Sequence, residues 1–183
     1  MKPTQILKDE HETIKLMLEV IENVCLKLEA GDAVPADDLL GIVDFISGFA
    51  DRCHHAKEED LLYPAMEESG VPRQGGPIGV MLAEHAEGRE YVKNMKAAAA
   101  KYGQGDREEA YRFAENARNY TSLLSQHIDK ENNILYMIAD QRLSTQTQAK
   151  LEKEFERMET EIIGPGKHEE YHGLLEKLEK AYC

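Results

Sequence analysis

With 183 residues, 42% hydrophobic and 31% charged, the chain has enough apolar material for one sizeable core, which excludes wholesale disorder. A formal net charge of −13 argues against nucleic acid and against anionic membrane surfaces, both of which are bound largely through Lys and Arg, and leaves cations as the natural small partners. Cys25, Cys53 and Cys183 form no CxxC pair, and there is no apolar leader or long apolar run, so a cytoplasmic protein is expected.

Residues 4–29 read as a first amphipathic helix. Leu7, Ile14, Leu18, Ile21, Cys25 and Leu28 recur at steps of three and four, and His11 sits on that seam. The loop at 31–35, with Gly31 and Pro35, precedes a second helix at 37–68, whose inward positions are Leu39, Val43, Ile46, Ala50 and Cys53. Pro64 lies near its far end, where it kinks or terminates a helix. A Gly- and Pro-rich stretch at 70–77 leads to a third helix at 77–102, opened by Pro77, with the seam Met81, His85, Gly88, Val92, Met95, Ala99, Tyr102.

After the turn at 103–106, a fourth helix at 107–141 carries Phe113, Ala117, Tyr120, Leu124, His127, Glu131, Ile134 and Ile138. Four long helices with short loops predict an all-α, up-down-up-down antiparallel four-helix bundle over residues 1–141. Residues 142–183 form a C-terminal extension of one or two helices, at 145–163 and 167–182, packed on that bundle as part of a single domain.

Three of the four seams place a histidine where an aliphatic side chain belongs: His11, His85 and His127. A polar ring buried without partners costs roughly 2–7 kcal/mol on apolar-transfer scales. Glu131 follows His127 by four residues and shares its face. Such a set converging on one core needs a common partner, and a metal ion satisfies all of them at once.

The second helix offers two overlapping HxxxE pairs, His54 with Glu58 and His55 with Glu59. His54 and Glu58 border the apolar stripe, whereas His55 follows Asp51 and Arg52 on the solvated side, so the first pair is the expected ligand pair, with His55 and Glu59 as residues supporting the ligands from outside or lying on the surface. The donor set is then His11, His54, Glu58, His85, His127 and Glu131. Nitrogen and carboxylate oxygen without thiolate suit iron or manganese, and zinc less specifically. Cys53 reads as core packing and the methionines (Met17, Met81, Met95, Met137, Met158) as seam filler; Tyr63, Tyr120 and Tyr136 read first as aromatic packing, with hydrogen bonding near a metal as the alternative.

The run from His54 to Pro64 (HHAKEEDLLYP) resembles the HHE motif of hemerythrin-like proteins. Glu84-His85 and the run from His127 to Glu131 resemble that family's later ligand helices, and His11 matches its first-helix histidine. The resemblance covers residues 4–141. It implies two iron ions bridged by carboxylates and an oxygen species, with His11, His54, His85 and His127 as terminal ligands and Glu58 and Glu131 as bridges. It further implies that dioxygen, nitric oxide or peroxide is the small-molecule partner.

One position departs from the family pattern: Arg89 stands four residues after His85, where a second histidine is common. Two readings stay open, an open coordination position or a ligand from the tail, where His168 and His172 are spaced by four. For function, the first expectation is a module that binds or senses dioxygen, nitric oxide or iron. The alternatives are a di-iron enzyme acting on peroxide or Fe(II), and a structural bundle holding a redox-silent cation such as zinc.

Overall fold

The computed structural model describes residues 1–183, the side chain of Ile162 excepted. Among the described residues it is all-helical, with six helices and no strand. Helix α1 is Pro3–Glu29, α2 spans 36–68, α3 is Pro77–Gly103, α4 spans 109–142, α5 spans 145–163 and α6 is Lys167–Tyr182. Their ends follow ordinary chemistry. Pro residues open α1 and α3, the Ser144 hydroxyl accepts the Thr147 N–H at the start of α5, and Gly31 takes a positive φ just past α1. No helix among the described residues is long and apolar enough to cross a membrane.

The core is split into two apolar clusters. One gathers Ile14 to Leu28 of α1 with Leu39 to Ala50 of α2, Met95 to Tyr102 of α3 and Ala110 to Ile128 of α4. The other holds Leu7, Leu62, Tyr63, Met66, Ile78, Met81, Leu135, Tyr136 and Ala139. On α1, α2 and α3 the candidate donors lie between the stretch serving one cluster and the stretch serving the other, and on α4 His127 and Glu131 flank Ile128, the last residue of the first cluster's stretch. The tail joins both: Leu175 and Leu178 of α6 enter the first cluster, Leu151 and Phe155 of α5 the second.

Helices α2 and α4 are not uniformly α. Residues Ile46–His55, Glu58–Leu62 and Glu131–Leu135 form π-turns, with Ala56 N–H donating to Asp51 O, Tyr63 N–H to Glu58 O and Tyr136 N–H to Glu131 O. Each bond spans five residues and takes one extra residue into the turn, which slides the buried face along the chain. This corrects the regular seam drawn through α4. Ile134 is 53% exposed and Met137 52%, while Leu135, Tyr136 and Ala139 are buried.

A substitution pair tests the seating of the tail. A methyl group on Gly48 falls on the Tyr171 hydroxyl of α6, whose ring packs edge-on against Phe45 and Phe49, whereas one on Gly173 meets nothing. Gly48→Ala is expected to cost roughly 1–3 kcal/mol by overpacking, and Gly173→Ala to gain about 0.5–1 kcal/mol by helix propensity. Urea unfolding measures both, and a Gly48→Ala protein as stable as Gly173→Ala contradicts this packing.

Candidate metal centre

Five histidines and two glutamates meet in the layer between the two clusters. The donor atoms of His55, Glu58, His85 and His127 lie within 4.8 Å of one another, and so do those of His11, His54 and Glu131. All seven residues are buried, none more than 5% exposed. The six candidates drawn from the seams are brought together here, and His55 joins them.

Each ring is held from behind. His54 Nδ1 donates to Glu10 Oε2 at 2.8 Å, His85 Nδ1 to Glu59 Oε1 at 2.6 Å, and His127 Nδ1 to Glu84 Oε2 at 2.8 Å. His11 Nδ1 donates to Asn132 Oδ1 at 2.9 Å, and His55 Nδ1 to Asp51 Oδ1 at 3.3 Å. With every Nδ1 committed outward, every Nε2 faces the centre. This is the arrangement by which carboxylate-backed histidines are oriented toward a cation. Burial opposes charge on His127, but Glu131 and Glu84 outweigh it and raise that ring above its ordinary value.

The two carboxylates lie across the division between the groups. Glu131 places Oε1 3.1 Å from His127 Nε2 and Oε2 3.2 Å from His11 Nε2. Glu58 Oε2 stands 3.5 Å from His85 Nε2 and 3.7 Å from His54 Nε2. Tyr136 OH donates to Glu58 Oε1 at 2.6 Å, and Tyr63 OH to Glu131 Oε1 at 2.9 Å. Two of the three tyrosines thus take the hydrogen-bonding alternative to packing and fix the carboxylates that span the site.

The centre is electrostatically incomplete. His54 Nε2, His55 Nε2, Glu58 Oε2 and Glu131 Oε2 are buried with no hydrogen-bond partner among the described residues. An unsatisfied buried polar atom costs about 1–3 kcal/mol, so a native fold rarely keeps four together. His85 Nε2 and His127 Nε2 face each other at 3.0 Å, a contact that requires a shared proton or a cation.

Protonation follows the same field. Burial, with His11 nearby, pushes His54 down to about 4, and burial with the stacked His85 ring holds His55 well below its ordinary value. Burial and the neighbouring Glu131 push Glu58 well above the usual carboxylate range. Burial also opposes ionisation of Glu131, but His127 and His11 outweigh it and hold that carboxyl well below the range. Burial, reinforced by Glu58 and Glu131, raises Tyr63 and Tyr136 well above ordinary phenols, so both stay donors.

Two expectations about the flanks change. The reading that put His55 on the solvated side fails because the π-turn at Ile46–His55 carries both neighbouring histidines into the core. Its ring stacks on His85 at 3.9 Å between centroids. Arg89 lies outside the donor groups and bonds Asp51 and Glu59, the acids behind His55 and His85. The tail histidines also stand apart. His168 groups with Glu10 and Glu159, and both His168 and His172 pack on Phe49. Only the His54-His55 doublet ahead of Glu58 signalled the extra ring in the sequence.

The donor layer, from His11 to Glu131, lies within a stretch that matches a known family. The family model described as the hemerythrin HHE cation binding domain matches residues 2–139. Uncharacterized proteins of Mycobacterium bovis and Mycobacterium tuberculosis are 23% identical over 130 residues, which is 71% of this chain and 50% of theirs. The chain thus spans about half the length of the curated relatives it matches. No solved structure matches it.

The unpaired layer makes a prediction for the chain without metal. In Glu58→Gln the amide keeps an acceptor for Tyr136 and turns a donor toward the lone pairs of His54 and His85. After chelator treatment the variant is expected to melt a few °C above the wild type, on the order of 1 kcal/mol. An equal or lower melting temperature in calorimetry contradicts the view that this layer is unsatisfied.

Proposed function

The chain belongs to the hemerythrin HHE cation-binding family, and we propose that it holds a non-haem di-iron centre through which it binds or senses dioxygen, nitric oxide or iron. In this reading His11 and His54 would hold one ion and His55, His85 and His127 the other, with Glu58 and Glu131 within reach of both groups. The observation that carries it is the set of four orphaned buried ligand atoms in a layer where every histidine Nε2 points inward.

The donor chemistry supports iron or manganese over softer ions, being imidazole and carboxylate without thiolate. Cys53 is no donor: burial pushes its thiol up to about 12, and its charged neighbours are Lys57, Glu10 and Glu159. When bound, iron supplies Lewis acidity and one-electron chemistry toward a small oxidant or nitric oxide.

The remaining work falls to the chain. Glu10, Asp51, Glu59, Glu84 and Asn132 fix the ring tautomers and orientations. The Tyr63 and Tyr136 phenols hold one oxygen of each shared carboxylate. Leu7, Leu62, Met81 and Leu135, all nearly inaccessible, exclude bulk water from one side. The first four helices alternate in direction, as their short connections favour, and residues 142–183 complete the same domain. The three free thiols fit a reducing, cytoplasmic setting.

A second reading, a di-iron enzyme acting on peroxide or Fe(II), is favoured by one observation: a cavity leads to His55, His85 and His127. Anaerobic reconstitution with Fe(II), followed by admission of air, separates the readings. Two irons per chain, with near-ultraviolet and visible bands that reverse on degassing, support a carrier or sensor. Steady turnover of peroxide supports the enzyme, and fewer than one iron per chain with no spectral change overturns both.

Variants sharpen the assignment. His55→Ala is expected to cost one of the two ions, and His172→Ala neither. Glu10→Gln, which weakens the support behind His54, is expected to lower metal affinity about 10–100-fold. Retention of both ions by His55→Ala, measured by metal analysis after gel filtration, contradicts the role given to that ring.

A further inference from the structure

A cavity of about 270 Å³ is bounded by α2, α3 and α4 and reaches His55, His85 and His127. Taking about 30 Å³ per water, it has the bulk of roughly nine waters, room for an organic molecule of about ten heavy atoms. Dioxygen, nitric oxide and peroxide have two. The walls are largely apolar, including Ile46, Gly88, Val92 and Leu124.

Of the polar groups in that lining, the three histidines belong to the donor layer and Arg89 is bonded to Asp51 and Glu59. Two further features are left uncommitted. The Tyr120 hydroxyl is buried on the cavity wall and has no hydrogen-bond partner among the described residues. It is a donor without an acceptor, in a place where an oxygen of a bound molecule satisfies it. Lys93 and Lys96, exposed and three residues apart on α3, stand at the mouth. Lys93 meets only Glu90 at 3.3 Å, in a pair so exposed that it contributes little.

The acids of the lining are already engaged, Asp51 with His55 and Arg89, and Glu84 with His127 and Lys130. The mouth therefore offers two lightly committed ammonium groups on a chain of net charge −13.

We infer that this cavity binds a small organic acid with an apolar body and a second oxygen. The carboxylate pairs with Lys93 and Lys96, the body lies against Gly88, Val92 and Leu124, and the second oxygen accepts from Tyr120. The inference goes beyond the metal reading, because every contact it uses is made by the chain itself. It therefore stands or falls separately from the iron count.

Isothermal titration tests it on the protein as isolated, with iron measured in the same sample. The probes are 4-hydroxyphenylacetate, phenylacetate (lacking the second oxygen) and 4-ethylphenol (lacking the carboxylate). The first is expected to bind saturably, with a Kd on the order of 0.1–1 mM, and each of the others more weakly. A double Lys93→Glu, Lys96→Glu variant, changed only at exposed positions, is expected to weaken it at least about tenfold, as charge reversal at short range does. Val92→Phe, which fills the cavity, is expected to do the same, and Tyr120→Phe to bind the two acids equally. No saturable binding of 4-hydroxyphenylacetate, or binding that neither the lysine pair nor Val92→Phe alters, overturns the inference.

Discussion

Between the two apolar clusters, five imidazole rings turn Nε2 inward against two carboxylates, and the rest of the fold is arranged around that layer. Repulsion among lone pairs and buried charge opposes bringing these groups together, so the protein must fasten each one from outside. It does so with a ring of acids and an amide, each accepting from an Nδ1, and with two phenols that hold the carboxylates. The two hydrophobic clusters on either side supply the rigidity that such a layer needs.

The fastening continues outward into a second set of charges. Lys57, fully buried, bonds both Glu10 and Glu159, so the acid behind His54 is tied to α5 of the tail. Burial opposes charge on Lys57, yet Glu10 outweighs it and holds the amine above its ordinary value; Glu10 in turn is held down to about 2 despite its burial, chiefly by His54. Arg89 plays a comparable part on the other side, linking Asp51 and Glu59 behind His55 and His85. A residue that stands out in sequence as a missing ligand thus supports the acids behind two rings of the site.

The helices and most of the donor layer were legible because they rest on one signal, polar residues standing on apolar seams of helical period. His11, His85, His127 and Glu131 interrupt those seams, and the structure buries all four. What was not legible depends on π-turns, which leave no mark on hydrophobic period. Each slides the buried face within a helix, so His55 enters the core beside His54, and Leu135 replaces Ile134 as the inward residue. The supporting acids were hidden for a different reason. Glu59, beside Glu58, is open to a supporting role in the sequence, but Glu10 and Glu84 look like any surface glutamate until the neighbouring helix brings a histidine to them.

The central claim is that five histidines act through Nε2 while two do not, and nitrogen-15 NMR of the histidine side chains during titration with diamagnetic Zn(II) tests it most directly. The account predicts that the Nε2 resonances of His11, His54, His55, His85 and His127 move on metal addition, with Nδ1 remaining protonated, and that His168 and His172 stay unshifted. Movement of His168 or His172, or an unmoved His55, would contradict it.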